Sequence, residues 1–552
     1  MPLENHPGND FVDRKFLLIE DFDVMRGVLR ALLKRCGARH VDTAANAREA
    51  LQHMQHSKYD VVLCDFNLGG GKNGQQVLEE ARHDRLIGHA TIWIMITAEK
   101  TSDMVMSIAE HAPDDYLLKP IIEALLTTRL SKLIVRKKAM ADITAAMAAK
   151  KYLQALDLCA QRLAQDKGNP MEVLRIQADL YQRTGKNEQA RAIYDSILAR
   201  RSIPWAKLGM AKLSIHCLDH ANARVLLEDL IAENPNYLEA YDWLARVHQH
   251  LGGQEAEESV LLRATALSPN SAPRQNALGA AALRCNHFDI AEQAMRRAIK
   301  LDEQSALKSV SPFLGLARVY SASNRPQEAM KILGEVAQKF SGEDVKIQAK
   351  AEEVRVLHRT GNKEAAAAIA QEMTARIQSD GQNLSPNATI ELADTLMQMG
   401  NHTEAAQLLQ FVVRNNDEDE DLGLRAQAVF DRADKTADGH ALLGQSRQQT
   451  REAMNQGVLL LRAGKLDEAL ERMRAACALM PRNPRVLLNL AYLYIVMLEK
   501  NGWRRDVEDE ARKAITLANS IAPGKQRAGE LLARLETVAN TPRAAAKGTP
   551  PG

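Results

Sequence analysis

Small residues recur in pairs twelve positions apart along most of the chain beyond residue 138. Small side chains allow the two helices of a hairpin to approach closely where they cross. Glycine or asparagine lies five positions before the second member of most pairs, where a left-handed residue would end the first helix. The pattern therefore predicts an array of α-helical hairpins. The pairs are Ala178 and Ala190, Ala211 and Ala223, Gly279 and Ala291, Ala317 and Ala329, Ala393 and Ala405, and Gly457 and Ala469; the turn residues are Gly185, Asn286, Asn324, Gly400 and Gly464, with Gly361 fitting an intervening copy.

This register resembles that of tetratricopeptide repeats (TPRs), most clearly over residues 211–235 and 457–481. The resemblance implies an α-helical solenoid whose first helices line a concave groove for a protein or peptide partner. Asn455 and Asn489 fall at matching groove positions and could hydrogen-bond the backbone of an extended peptide. The alternative is that both are simply exposed helix residues.

The first part of the chain has a different pattern, in which five short apolar runs alternate with five amphipathic segments from Lys15 onward. This alternation predicts an α/β domain with a doubly wound, five-stranded parallel sheet of the flavodoxin type. Ligand sites in such sheets lie beyond the carboxyl ends of the strands. Carboxylates gathered there repel one another unless a cation lies among them, and oxygen ligands suit Mg²⁺. The side chains at these ends are Glu20, Asp21, Asp65, Thr97 and Lys119.

Residues 15–138 resemble the receiver domain of two-component response regulators. The resemblance is carried by ED at 20–21, Asp65, TAE at 97–99 and YLLKP at 116–120. It implies that Asp65 accepts phosphate from a sensor histidine kinase. It also implies roles for the neighbouring residues. Asp21, Asp65 and the backbone carbonyl of Asn67 would hold Mg²⁺, with Glu20 assisting through water. Thr97 and Lys119 would bind the phosphoryl oxygens, and Tyr116 would be the aromatic switch.

Two further positions follow from the same resemblance. Asn67 and Glu99 lie two residues beyond the acceptor and the threonine, where receivers tune dephosphorylation, and they predict a short-lived phosphoprotein. The loop LGGGKNG after Asp65 departs from the receiver pattern, because it lacks a proline and is one residue longer.

The predicted organisation has a disordered start (1–14), a receiver domain (15–138) and a TPR-like array (139–538). The array contains an irregular acidic insertion near 415–446. A disordered tail (539–552) ends the chain.

Charge and composition narrow the class of partner. The net charge of +2 gives no long-range field toward nucleic acid, and the basic run 129–138 fits a solvated helix face better than a nucleic-acid contact.

The apolar run 487–498 is too short to span a membrane. Six scattered cysteines and a polar start without a signal-like core indicate a soluble cytoplasmic protein.

Together these patterns predict a response regulator that acts by protein–protein interaction through its TPR array and not by DNA binding. We expect no enzyme activity beyond the receiver's own phosphotransfer and dephosphorylation. Two alternatives stay open: a phosphate sink or inhibitor that docks on the sensor kinase, and a constitutive TPR scaffold with a silent receiver. The sequence also leaves open whether the receiver forms a homodimer.

Overall fold

The computed structural model of the protein describes residues 11–98, 113–165, 170–305, 308–380, 385–417, 419–522 and 526–540. The chain divides into two compact units, Met1–Ser323 and Asn324–Gly552. Among the described helices, none has the length and apolarity needed to cross a membrane.

The first unit begins with a parallel five-stranded sheet. Its strands are β1 (Lys15–Ile19), β2 (His40–Ala44), β3 (Val61–Asp65), β4 (Ile92–Thr97) and β5 (Asp115–Leu118), in the order β2-β1-β3-β4-β5. The flanking helices are α1 (Asp23–Arg35), α2 (Ala47–His56), α3 (Gly74–His83) and α4 (Glu123–Ala139). The predicted doubly wound sheet is confirmed. The fourth helix signal of the sequence, near 104–112, lies outside the described residues.

Both faces of the sheet are buried, which explains the continuous apolar runs of its strands. Phe16 and Leu18 face a core shared with α1 and α4, whereas Leu17 and Ile19 face a second core shared with α2 and α3. Phe11 is also fully buried and packs edge-on against Phe16, with ring centroids 6.4 Å apart. The end of the segment that the sequence predicts to be disordered therefore contributes to the core, because it carries one large aromatic side chain.

Helix pairs follow the sheet in the first unit, and the described residues of the second unit also form helix pairs, as the repeat register predicts. In the first unit the helices are α5 (Ala141–Ala148), α6 (Tyr152–Ala164), α7 (Pro170–Arg183), α8 (Asn187–Leu198), α9 (Pro204–His216), α10 (His220–Glu233), α11 (Leu238–His250), α12 (Gln254–Leu267), α13 (Ala272–Arg284), α14 (Phe288–Asp302) and α15 (Ser311–Ala322). In the second unit they are α16 (Pro326–Lys339), α17 (Glu343–Arg359), α18 (Lys363–Asp380), α19 (Pro386–Gln398), α20 (His402–Asn415), α21 (Glu420–Arg432), α22 (Thr436–Arg462), α23 (Leu466–Leu479), α24 (Pro484–Asn501), α25 (Arg505–Ile521) and α26 (Gln526–Asn540).

The turn residues predicted from the sequence all adopt left-handed backbone conformations, from φ +60° at Asn324 to φ +85° at Gly361. Two of the paired glycines lie where the side chain of a neighbouring helix packs closely. A Cβ atom on Gly279 would lie 2.8 Å from Cγ of Met295, and one on Gly457 would lie 2.7 Å from Cε of Met473. Each methionine thus fills the space that the missing side chain leaves.

The acidic stretch of the second unit is mostly helical. It forms α21 and the long helix α22, which pack against each other. The turn before α21 is fixed by side chains, because Asn415 Oδ1 accepts a hydrogen bond from Arg482 N at 2.7 Å and Asn483 Nδ2 donates to Asp417 Oδ1 at 2.6 Å. Both asparagines are buried, and their side chains tie residues 415 and 417 to the turn before α24.

Candidate functional site

The strand ends of the sheet gather three carboxylates and one ammonium group. Glu20 and Asp21 follow β1, Asp65 ends β3, and Lys119 follows β5. The parallel register pairs Ile19 with Cys64. Consequently β1 and β3 finish at the same level, and residues far apart in sequence lie in one pocket.

Lys119 is at the centre of this cluster. Its Nζ donates to Asp65 Oδ2 at 2.7 Å and to Glu20 Oε2 at 2.8 Å. The carboxylates of Glu20, Asp21 and Asp65 each place an oxygen within 4.8 Å of the others. Glu20 is 1% exposed and Asp65 7% exposed, whereas Asp21 is exposed. The site therefore has a buried floor and a rim open to solvent.

Burial and charge act in opposite directions on these groups. Burial raises the pKa of Glu20, and the hydrogen bond from Lys119 offsets only part of that effect. Burial alone would lower the pKa of Lys119, but its hydrogen bonds to Asp65 and Glu20 outweigh burial and raise it. The cluster contains three carboxyl groups and one ammonium group, which leaves carboxylate oxygens for a cation. A donor set made entirely of carboxylate oxygens fits Mg²⁺.

Arg26 supports the acidic turn, although sequence reasoning did not single it out. Its Nη1 donates to the backbone oxygen of Glu20 at 2.7 Å, and its Nη2 donates to Asp23 Oδ1 at 2.6 Å. The guanidinium thereby holds the chain in the direction that points Glu20 and Asp21 at Asp65. The available sequence signal was a single arginine in the first turn of α1, which alone is not specific.

The loop after β3 is held at both ends. Gly74 N donates to Phe66 O at 2.8 Å, and a Cβ on Gly74 would lie 2.2 Å from the backbone oxygen of Asp65. Asn73 and Gln76 form a reciprocal capping box at the start of α3, with bonds of 2.9 and 3.0 Å. The start of α3 is therefore anchored directly against the end of β3.

The other receiver positions are placed as follows. Thr97 is buried at the end of β4, and Asn67 is exposed at the rim. Tyr116 is half-buried against the core that includes Trp93. Glu99 lies outside the described residues. Their roles in phosphoryl binding, switching and dephosphorylation stay predictions.

The two groove candidates differ in their surroundings. Asn455 on α22 is exposed. Asn489 on α24 is half-buried, and its Oδ1 accepts a hydrogen bond from Arg527 at 2.7 Å. A peptide would have to compete with Arg527 for that oxygen. Partner binding by either asparagine stays a prediction.

Comparisons with known proteins agree with both parts of the chain. A family model described as the response regulator receiver domain matches residues 16–131, and one described as a tetratricopeptide repeat matches residues 454–496. The chain is 30% identical to the chemotaxis protein CheY-3 of Vibrio cholerae over 122 residues, which are 22% of this chain and 92% of that protein. It is 27% identical to the chemotaxis protein CheY of Pseudomonas aeruginosa over 122 residues, 97% of that protein.

Among the solved structures similar to this chain is the chemotaxis response regulator CheY4 of Vibrio cholerae. The match has 25% identity and a TM-score of 0.20, and it covers 22% of this chain and 98% of that one. A tetratricopeptide repeat protein from Parabacteroides merdae has 15% identity and a TM-score of 0.32, covering 43% of this chain and 91% of that one.

Proposed function

Because the chain belongs to the response regulator receiver family, we propose that it is a phosphorylation-dependent response regulator that accepts phosphate on Asp65 from a sensor histidine kinase. The observation that carries this proposal is the cluster at the strand ends. Asp65 lies between a buried carboxylate, an exposed carboxylate and the ammonium of Lys119.

In the proposed reaction, a carboxylate oxygen of Asp65 attacks the phosphorus of the kinase phosphohistidine. The new oxygen–phosphorus bond forms as the nitrogen–phosphorus bond breaks, and the histidine leaves with its electron pair. Lys119 would pair with the transferred oxygens, and the Thr97 hydroxyl would donate to one of them. Bound Mg²⁺, held by Glu20, Asp21, Asp65 and the Asn67 carbonyl, would supply positive charge for the phosphoryl group.

The output would be protein binding by the TPR array, since the described residues outside the receiver form helical repeats. Within the first unit, the receiver and the helical repeats are in direct contact. Gln76, in the first turn of α3, donates to the backbone oxygen of Leu301 at the end of α14, at 3.4 Å. A cavity of about 460 Å³ beside this contact is lined by Phe66 and Asn73 from the receiver and by Asn276 and Pro312 from the repeats. A shift of the loop after Asp65 on phosphorylation would alter this contact.

We also propose the boundaries given by the sequence, with the receiver at 15–138 and the array at 139–538, and a cytoplasmic location. An array partner other than nucleic acid fits the balanced charge of +2.

The test is phosphorylation of the full chain by a small phosphodonor with Mg²⁺, followed by intact mass measurement. We expect a mass increase of one phosphoryl group in the wild type and in Asp84→Asn, which changes an exposed carboxylate at the end of α3, but not in Asp65→Asn. No adduct in folded wild type, or an adduct in Asp65→Asn, would contradict the proposal. Binding of the array to the sensor kinase, with no other partner, would favour the phosphate sink over a regulator with an output partner.

A further inference from the structure

A second cluster of metal-ligating side chains lies in the repeats, away from the receiver. Glu258 is on α12, Cys285 caps the end of α13, and His287 caps the start of α14. One ligand atom of each lies within 4.8 Å of the others. The cluster joins the second helix of one repeat to the hairpin turn of the next.

The geometry of this cluster is compact and open to solvent on one side. His287 Nδ1 lies 2.9 and 2.8 Å from the two carboxylate oxygens of Glu258. Glu258 is 4% exposed, Cys285 is half-buried, and the His287 side chain is 55% exposed. Asn286, at φ +61°, makes the left-handed turn that separates the cysteine from the histidine. An ion could therefore enter past His287 and reach the buried carboxylate.

The charges around the cluster leave room for a cation. The nearest arginine in sequence, Arg284, is engaged with Glu257 at 2.7 Å. The buried carboxylate of Glu258 faces an imidazole and a thiol, and only the imidazole can carry a positive charge. Burial, followed by the hydrogen bond with Glu258, raises the pKa of Cys285 to about 11, so a bound ion would have to displace the thiol proton.

We propose that Glu258, Cys285 and His287 form a binding site for Zn²⁺ or a similar borderline divalent ion, with water as the fourth ligand. A mixed set of sulfur, nitrogen and oxygen donors is the combination that Zn²⁺ accepts, and hard ions such as Mg²⁺ do not favour it. Ligand atoms in a tetrahedral zinc site lie about 3.3 to 3.7 Å apart. The histidine and the carboxylate would separate slightly, and the distances to the sulfur, which are at most 4.8 Å, would contract where they exceed this range.

The chain contains a matched turn that has the cysteine but neither the glutamate nor the histidine. Cys217 caps α9 as Cys285 caps α13, and the next residue, Leu218, is left-handed at φ +62°. The following residue is Asp219, and the helix position equivalent to Glu258 is occupied by the cation Arg191. A cation at that position opposes metal binding, so Cys217 serves as the internal control.

The experiment titrates full-length protein, treated with a chelating resin, with Co²⁺ alone and then with Zn²⁺. We expect a thiolate-to-cobalt charge-transfer band that saturates at one equivalent and is removed by Zn²⁺. The band should persist in Cys217→Ser and be absent in Cys285→Ser and Cys285→Ala. His287→Ala and Glu258→Gln should each weaken the affinity at least tenfold.

The alternative reading of the cluster is an ion pair between His287 and Glu258 with a bystander thiol. In that case folded wild type gives no charge-transfer band, which would overturn the proposal. A charge-transfer band of the same intensity in wild type and Cys285→Ser would show an adventitious ion only. Thermal melts monitored by circular dichroism, compared between Cys285→Ser and Cys217→Ser, show whether a lost band reflects a lost ligand or a lost fold. If Cys285→Ser does not fold, Cys285→Ala replaces it as the test variant, and the wild-type titration still tests the proposal.

Discussion

Replacing Lys119 by methionine should destabilise the receiver at neutral pH and much less at acid pH. Lys119 Nζ lies 2.7 Å from Asp65 and 2.8 Å from Glu20, and its side chain is only 15% exposed. Removing one member of a buried charge pair costs about 3 to 5 kcal/mol. The cost should be reduced here to about 2 to 3 kcal/mol, because Asp65 reaches the rim and Glu20 can take up a proton.

The pH dependence follows from the direction of the Glu20 shift. Its folded-state pKa is raised above the ordinary value of 4.5, so the folded state binds the proton more tightly than the unfolded state. The free energy of unfolding therefore falls as the pH rises from 4.5 through the raised pKa of Glu20. Without Lys119 the lowering contributions to the pKa of Glu20 are lost, and this pH range extends further upward. The defect of the variant should be smallest below pH 4.5 and should grow as the pH rises above it.

Hydrogen exchange with mass spectrometry on the full chain measures this locally. Peptides covering 61–65 and 92–97 should exchange about 30 to 150 times faster in Lys119→Met than in wild type at pH 7, given tenfold for each 1.36 kcal/mol. A repeat peptide covering 206–213 should be unchanged, and Lys34→Met, which removes an exposed charge from α1, should resemble wild type. A ratio that does not shrink at acid pH, or no recovery in Glu20→Gln/Lys119→Met, would refute the reasoning.

Two glycine-related substitutions test the backbone assignments. Gly74→Ala should destabilise the receiver by about 1 to 3 kcal/mol, because its Cβ would lie 2.2 Å from the Asp65 carbonyl; faster exchange of peptide 61–65 would show it, and unchanged exchange would contradict it. Leu218→Gly should stabilise the repeats by about 1 kcal/mol, because Leu218 is left-handed at φ +62° and 76% exposed; thermal melting measures the gain. Leu218→Ala keeps the strained conformation and should give no gain.

The sequence predicted the sheet and the hairpin array because both depend on patterns with few physical solutions. Buried parallel strands must be apolar throughout, and hairpin turns favour residues that tolerate positive φ. The same rule missed the turns at Leu218 and Lys150, which are also left-handed but carry larger side chains. There the packing of the two helices fixes the turn and the local strain is tolerated, so composition gives no signal.

The candidate site likewise has one part that the sequence predicts and one part that it does not. Strand ends are predictable positions, and the structure brings Glu20, Asp21, Asp65 and Lys119 together. The supports of the site were not predictable, because they depend on contacts across the fold. Arg26 acts through a backbone carbonyl, and such a contact leaves no mark in the residue pattern.

Lys119 and a bound divalent ion should oppose each other, since both draw on the same carboxylates. At 100 times its Kd, a ligand stabilises the folded state by about 2.7 kcal/mol. Like charges a few ångströms apart disfavour joint occupancy, so Lys119→Met should bind Mg²⁺ more tightly than wild type and recover more protection in peptide 61–65 on Mg²⁺ addition. Asp21→Asn in the same background should remove that recovery, because Asp21 is exposed and contributes a ligand without filling the core. Weaker Mg²⁺ binding in Lys119→Met would mean instead that the ammonium positions Asp65 and Glu20, and that its bonds at 2.7 and 2.8 Å matter more for orientation than for charge.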